Sequence, residues 1–515
     1  MVSSWTKFVA ECKSRLSVIA RSCFLRRLHW YRKFKELKQR FDELREVADN
    51  CEAICKQLEQ ETQRLQERIR ELEVGLSQPQ PVRLPVGEVP AGHQYGVGII
   101  VLSVNLARKI GLRPTVCALQ IFFAWLGIRE RLPTYQAIRG WMQRLGLYRM
   151  QNAEKTDDGV WLTDHSNQIG KEKVLAVMRV RESQPGVPLR HEDVEILALV
   201  LGEQWKRENV AKAYQATADR YGVPRAIESD GAVELREPTE TLGKRGKRPI
   251  SLRDPKHFLA NQLEGLLKRD PPYEAFVKQL GGTRSALHQT ELAHFIPPAF
   301  KVKSRFMNLA PTLRWASTVL WHLDHKTSKS RNGILDRRME EKLGWLRDFA
   351  PNIQQWQECQ AVISVGLTFL NAQGVFRGVA DRFKRHVGDL AHCSMSRQLV
   401  QKAVQFLREH EKKLRPGERL PMSTEIVESS FALFKQLERQ HSKSGFTSLL
   451  LTFPVLLRET TPQEVLAGFA KVKVADVKNW KNDNLPVTLA AKRQLMFREA
   501  KAKNKKLATP GTVAA

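Results

Sequence analysis

The sequence predicts a mixed α/β (α+β) chain, with an N-terminal coiled coil, a small helical unit, and a mixed-sheet core interrupted by a large all-α insertion. Three observations predict it. A heptad repeat runs from Phe34 to Leu76. Short runs rich in Val, Ile and Leu, of strand length, lie between residues 160 and 253. From about 270 to 420 no run of comparable strand quality occurs.

The heptad seam comes first. Apolar or small residues fall at Phe34, Leu37, Phe41, Leu44, Ala48, Cys51, Cys55, Leu58, Thr62, Leu65, Ile69, Leu72 and Leu76. The steps alternate 3 and 4, and the positions between are mostly Glu, Lys, Arg and Gln. A seam held over about six heptads with a charged exterior is a coiled-coil pattern, and a helix packed on its own domain is the plainer alternative. Residues 1–76 are therefore a basic helical N-terminus and coiled coil. Residues 77–96, with Pro79, Pro81, Pro85 and Pro90, are a linker.

Residues 97–150 read as three short helices, near Ile99–Lys109, Pro114–Leu126 and Thr134–Leu145, with Gly111, Gly127 and Gly146 at helix ends. The third carries Arg139, Trp141, Gln143 and Arg144. A basic third helix is the pattern of a helix-turn-helix reader, which places Arg139 and Arg144 against DNA bases. Small helical bundles of other kinds share this pattern.

The core follows in two parts, residues 155–270 and 421–460, separated by the insertion at 271–420. Trp161 to Thr163, Val174 to Val180 and Val194 to Leu201 are candidate strands. A helix from Lys206 to Tyr221 is stopped by Gly222. Arg225 to Glu228 is a fourth strand and Pro249 to Arg253 a fifth. Three strands, a helix, then a strand ending in Asp is the order of an RNase H-like fold. Residues 461–515 form a basic C-terminal region, ending in a small-residue tail.

Charge narrows the partner. The 84 Lys and Arg against 55 Asp and Glu leave +29. A polyanion would neutralise that charge, and double-stranded DNA is the expected partner; a ribosome or a membrane surface would give the same balance. Seven cysteines without a CxxC pair suggest neither a disulfide framework nor a structural zinc site. Charges interrupt the first 34 residues, so no signal-peptide run is expected there. No membrane span is expected, and the expected location is the cytoplasm, with the nucleoid.

Three acids stand where DNA cleavage would need them. Asp164 ends the first strand in WLTDHSNQIG, and Asp230 follows the fourth in AIESDGA. Either is also a good turn residue. The third lies in PMSTEIVESSFALFKQLERQ, where Glu425 and Glu428 compete. Glu425 falls in a first helical turn, where acids suit the helix dipole without further duty. Lys435 lies two turns beyond Glu428 on the same face. Phosphodiester cleavage at neutral pH is served by two divalent ions about 3.5–4 Å apart, and Mg2+ prefers carboxylate and water oxygens.

On these residues the chain resembles insertion-sequence transposases of the DDE type, with an RNase H-like catalytic core and an E-x6-K signature on a late helix. Here that signature is Glu428 with Lys435. Asp164 matches the first Asp in its WLTDHS context and Asp230 the second in IESDGA. The segment RDPKHFLANQLEGLL, with Asp254, His257 and Ala260, is similar to the stretch after the second Asp. The resemblance covers residues 97 to 455. One departure is the spacing from Asp230 to Glu428, 428 − 230 = 198 residues, which resembles members carrying a helical insertion.

The resemblance implies catalytic and metal-binding roles for Asp164, Asp230 and Glu428, with two Mg2+ ions, or Mn2+ in their place, and no covalent intermediate. It also implies DNA contacts from Lys435. The basic side chains of the loop carrying Lys244, Arg245, Lys247 and Arg248 suit phosphate contact, and a flexible exposed loop is the plainer alternative. Self-association is expected through residues 34–76. The competing expectations are another RNase H-like nuclease, such as a resolvase, and a non-catalytic DNA-binding relative.

Overall fold

The computed structural model describes residues 2–75, 87–128, 130–167, 172–243, 248–299, 309–325, 333–440, 446–485, 487 and 489–507. They form two bodies, Met1–Arg83 and Leu84–Ala515. In the first, the heptad segment belongs to one helix, α1 (Val2–Gly75), which extends the expected coil to the start of the chain. Part of the expected linker, residues 76–86, lies outside the described residues.

The second body begins with α2 (Val97–Ile110), α3 (Leu112–Trp125) and α4 (Tyr135–Gln151). The Thr134 hydroxyl caps α4 by accepting from the Ala137 amide. The strands follow as β1 (Val160–Asn167), β2 (Lys173–Val180) and β3 (Val194–Gly202). Next come α5 (Arg207–Tyr221), β4 (Ala226–Ser229), α6 (Val233–Thr241), β5 (Ile250–Arg253) and α7 (Pro255–Leu267). Every expected strand is present.

The sheet order is β3-β2-β1-β4-β5. β1, β2 and β3 are antiparallel neighbours, while β4 and β5 run parallel to β1. This is the RNase H-like mixed sheet. Side chains alternate across it, as the period of a strand requires. Trp161, Leu175, Val177, Leu197 and Ile227 pack on one face, under Val210, Tyr214 and Tyr221 of α5. Leu162, Ala176, Met178, Ile196 and Leu252 face the larger core on the other side.

The insertion is helical, as expected. It comprises α8 (Pro271–Leu287), α9 (Ala310–Asp324), α10 (Gly333–Leu343), α11 (Ala350–Gln373), α12 (Val379–Val387) and α13 (Ser394–Glu411). One addition escaped the sequence pattern. Short strands β6 (Val375–Phe376) and β7 (Arg419–Leu420) pair antiparallel, joining the interior of the insertion to its C-terminal end. Two residues are too few to show a period. The chain then returns through α14 (Glu425–Arg439), which packs against β1. A 3-10 turn at Ser448–Thr452 leads to α15 (Phe453–Leu457), α16 (Pro462–Lys471), α17 (Val474–Asn484) and α18 (Leu489–Leu507). Among the described residues, no helix is long and apolar enough to cross a membrane.

Residues 97–150 correct the expectation of a DNA-reading unit. The helices are found, but α4 is a core helix, walled by residues 448–471. Its side chains from Trp141 to Leu147 are buried. Arg144 points inward: its guanidinium donates to the carbonyls of Val472 and Phe469 and lies 4.1 Å from the Phe469 ring centroid. Arg139 is half-buried and donates to the Ser448 hydroxyl. Arg144, so placed, is not free to enter a groove. Gly146 is likewise not a helix end. It lies inside α4, where a Cβ would come within 1.7 Å of the Leu451 carbonyl oxygen, so glycine is needed for that close approach.

Candidate active site

The strand register places the first two acids together. β1 and β4 pair in parallel through Leu162 and Glu228. Asp164 and Asp230 each stand two residues further along. Asp164 does not end its strand as expected: β1 runs on to Asn167 and Asp164 pairs with Ala176, while Asp230 directly follows the last residue of β4. Alternation decides where Asp164 points. Thr163 turns to the α5 face and shares a 2.9 Å hydrogen bond with the Tyr214 hydroxyl. Asp164 therefore shares the side of Leu162, the side on which α14 packs. Its Oδ1 accepts from the His165 amide at 2.7 Å.

Asp230 is fixed by the turn that follows it. Its Oδ1 accepts from the Ala232 amide at 2.8 Å, and the Ser229-Asp230-Gly231 turn needs a glycine for two reasons. Gly231 has φ +87°, and a Cβ there would meet the Arg253 side chain at 2.6 Å. An Asp-Gly pair is thus what lets Asp230 and Arg253 share this corner.

Glu428 and Glu425 part company on α14. Glu428 Oε2 accepts from Lys256 Nζ at 2.7 Å, and its Oε1 lies 3.9 Å from His257 Nε2. Glu425 is more exposed and takes a hydrogen bond from Asn371, with Lys256 3.6 Å away. The charge on Asp164 distinguishes them further. Burial first, and then the charges of Asp230 and Glu428, push its carboxyl up to about 7 against the bond from the His165 amide. Glu425 takes no part in that shift. The charges of Asp230 and Glu428 thus both reach Asp164. Among the described residues, no three His, Cys, Asp or Glu side chains are gathered closely enough to hold one ion.

The start of α7 supplies groups that sequence reasoning did not place in the site. Asp254 caps the helix by accepting from the His257 amide at 2.8 Å, and it also accepts from the Thr424 amide at the foot of α14. It therefore ties α7 to α14. Asp254 Oδ2 also lies 2.7 Å from His257 Nδ1. Burial alone would raise Asp254, but these bonds hold it below the usual carboxylate range. Burial would lower His257; Asp254 reverses that and raises it. Lys256 is raised too, since its bond to Glu428 outweighs burial. Beneath them Glu228 is fully buried, its carboxyl pushed well above the usual range by burial and by Asp254. The available signal was Asp254-Pro255-Lys256-His257 itself, a capped helix start directly after a strand.

The remaining candidates scatter. Lys435 is half-buried on α14, and Arg248 is exposed just before β5. Lys244, Arg245 and Lys247 lie outside the described residues.

The fold is a mixed five-stranded sheet of RNase H-like order, with Asp164 on β1, Asp230 just after β4 and Glu428 on α14. No protein-family model matches the chain, and no curated protein matches it. Among solved structures it is similar to the Drosophila P element transposase strand transfer complex, with a TM-score of 0.38 and 9% identity over 78% of this chain and 99% of that one. At that similarity no residue correspondence follows.

Proposed function

We propose that the chain is a DNA transposase of the DDE type, cleaving DNA strands and joining them to a target. One observation carries the reading: Asp164 on β1 feels the charges of both Asp230, after the neighbouring parallel strand β4, and Glu428, on the helix α14 that packs against β1. Burying like charges together is unfavourable unless something offsets it, and such clusters concentrate at functional sites.

The donor set suits Mg2+, or Mn2+, in kind: three carboxylates, hard in character, two of which raise the third and so favour a cation beside it. Asp164, Asp230 and Glu428 would hold the ions. Two bound ions would supply an activated water and compensate charge on the leaving oxygen. The chain's own side chains do the rest. Lys256 and the Asp254–His257 pair hold Glu428 and the foot of α14 against α7. Lys435 and Arg248 are proposed to contact DNA phosphate, as are Lys244, Arg245 and Lys247. Nicking frees a 3′-hydroxyl, which then attacks target DNA in the same site.

The test is incubation with a supercoiled plasmid and a duplex bearing a free 3′-hydroxyl. Transposase activity gives divalent-dependent joining as well as nicking. Nicking without joining would identify a plain nuclease. Binding without either would identify a non-catalytic relative.

A further inference from the structure

Helix α1 leaves an apolar seam uncovered along most of its 74 residues. Trp5, Leu16, Ile19, Trp30, Phe34 and Leu65 are each 58–69% exposed. The seam is longer than the heptads from Phe34 onward. Stepping back from Phe34 in threes and fours lands on Trp30, Arg26, Cys23, Ile19, Leu16 and Cys12, then on Val9 and Trp5. The alternation breaks once, where two steps of four meet at Trp30. That is a stutter, which locally unwinds a coiled coil without ending it. Val2–Gly75 therefore carries one continuous seam, with a single charged residue, Arg26, among these upstream positions.

The charges around the seam are divided by position. Between Val2 and Arg40 there are 11 Lys and Arg against 2 Glu, a net +9. Between Phe41 and Gly75 there are 5 against 10 Asp and Glu, a net −5. Paired helices stand about 10 Å apart, near one Debye length at physiological salt, so flanking charges on partners act on each other. A parallel pair would set +9 beside +9 and −5 beside −5. An antiparallel pair sets each basic half beside an acidic one. Flanking charges are what select orientation in coiled coils.

We propose that α1 is covered by the α1 of a second copy, running antiparallel along the whole seam from Trp5. The basic half of each helix is then neutralised by protein and not by DNA. The two bodies that follow leave from opposite ends of the pair. This does not depend on the chemistry assigned to the acidic trio, and it is tested without catalysis.

The experiment uses the full chain, free of DNA, with a keto-bearing side chain introduced at Lys7 or at Glu67 for spin labelling, so that the seven cysteines are untouched. The helix rises about 1.5 Å per residue. In an antiparallel pair, same-site labels lie beyond about 60 Å at both positions, while mixing Lys7- and Glu67-labelled chains gives distances within about 30 Å. Sedimentation should show a dimer that weakens as salt rises. Same-site distances within about 30 Å at both positions would mean a parallel pair and overturn the proposal. A monomer at micromolar concentration would overturn it too, as would pairing that appears only when DNA is added, which would make the basic half a DNA-binding arm.

Discussion

Two regions of the molecule bury charge, and they do so in opposite ways. At the end of α4, Arg149 is buried and fully answered. It makes a bidentate pair with Glu464 at 2.7 and 2.8 Å and donates to the carbonyls of Pro454, Arg458 and Glu459. On β1, Asp164 is half-buried, with the like charges of Asp230 and Glu428 acting on it. Complete pairing locks elements together. Incomplete, like-signed burial does nothing for the fold, and is the arrangement expected where an external cation or substrate supplies the missing partner.

The largest effect on folding should come from breaking the paired region. Arg149→Ala leaves Glu464 buried with only the half-buried Arg458 beside it, and should cost about 3–5 kcal/mol in urea unfolding. A loss below about 1 kcal/mol would show that the network does not hold α4 to α16. Gly146→Ala attacks the same seam sterically and should cost roughly 1–3 kcal/mol or more, since Leu451 must move.

The unpaired region should behave in the reverse manner. The folded-state pKa of Asp164 is raised from 3.8 to about 7, so the folded chain binds the extra proton. Ionising it in the fold is a penalty absent below about pH 4, growing toward pH 7 and complete above that. In chelator, Asp164→Asn should therefore unfold like the parent near pH 4 and be more stable at pH 8, by on the order of 1–3 kcal/mol. A destabilised variant at pH 8 would mean that Asp164 is a structural acid. The smallest effect is expected from Glu425→Gln: its side chain faces Asn371 and takes no part in the shift on Asp164, so cleavage should stay within a few-fold of the parent.

The same contrast explains what could be read in the sequence. Val174 to Val180 and Val194 to Leu201 announce themselves as strands because both of their faces are apolar and buried. Asp164 and Asp230 were legible because each closes such a run. Helix α4 was misread because local pattern cannot show what covers a helix. Its Arg144 looks like a reader's arginine until Phe469 and Val472, more than 300 residues later, close over it. Lys256 was passed over, and His257 was named without a role, for the same reason: Glu428, which both face, lies 428 − 256 = 172 residues beyond Lys256. Glu428 was preferred to Glu425 from its spacing to Lys435 alone; the docking of α14 on β1, which no spacing encodes, adds that Glu428 faces Lys256 and His257.

The most direct measurement is divalent-dependent nicking of plasmid DNA by the parent and by Asp164→Asn, Asp230→Asn and Glu428→Gln, with DNA binding measured alongside. Each variant should lose at least about a thousandfold in cleavage, roughly 4 kcal/mol of transition-state stabilisation, while binding DNA within a few-fold of the parent. Retention of cleavage within about tenfold by any one of the three, or cleavage that persists in chelator, would contradict the account.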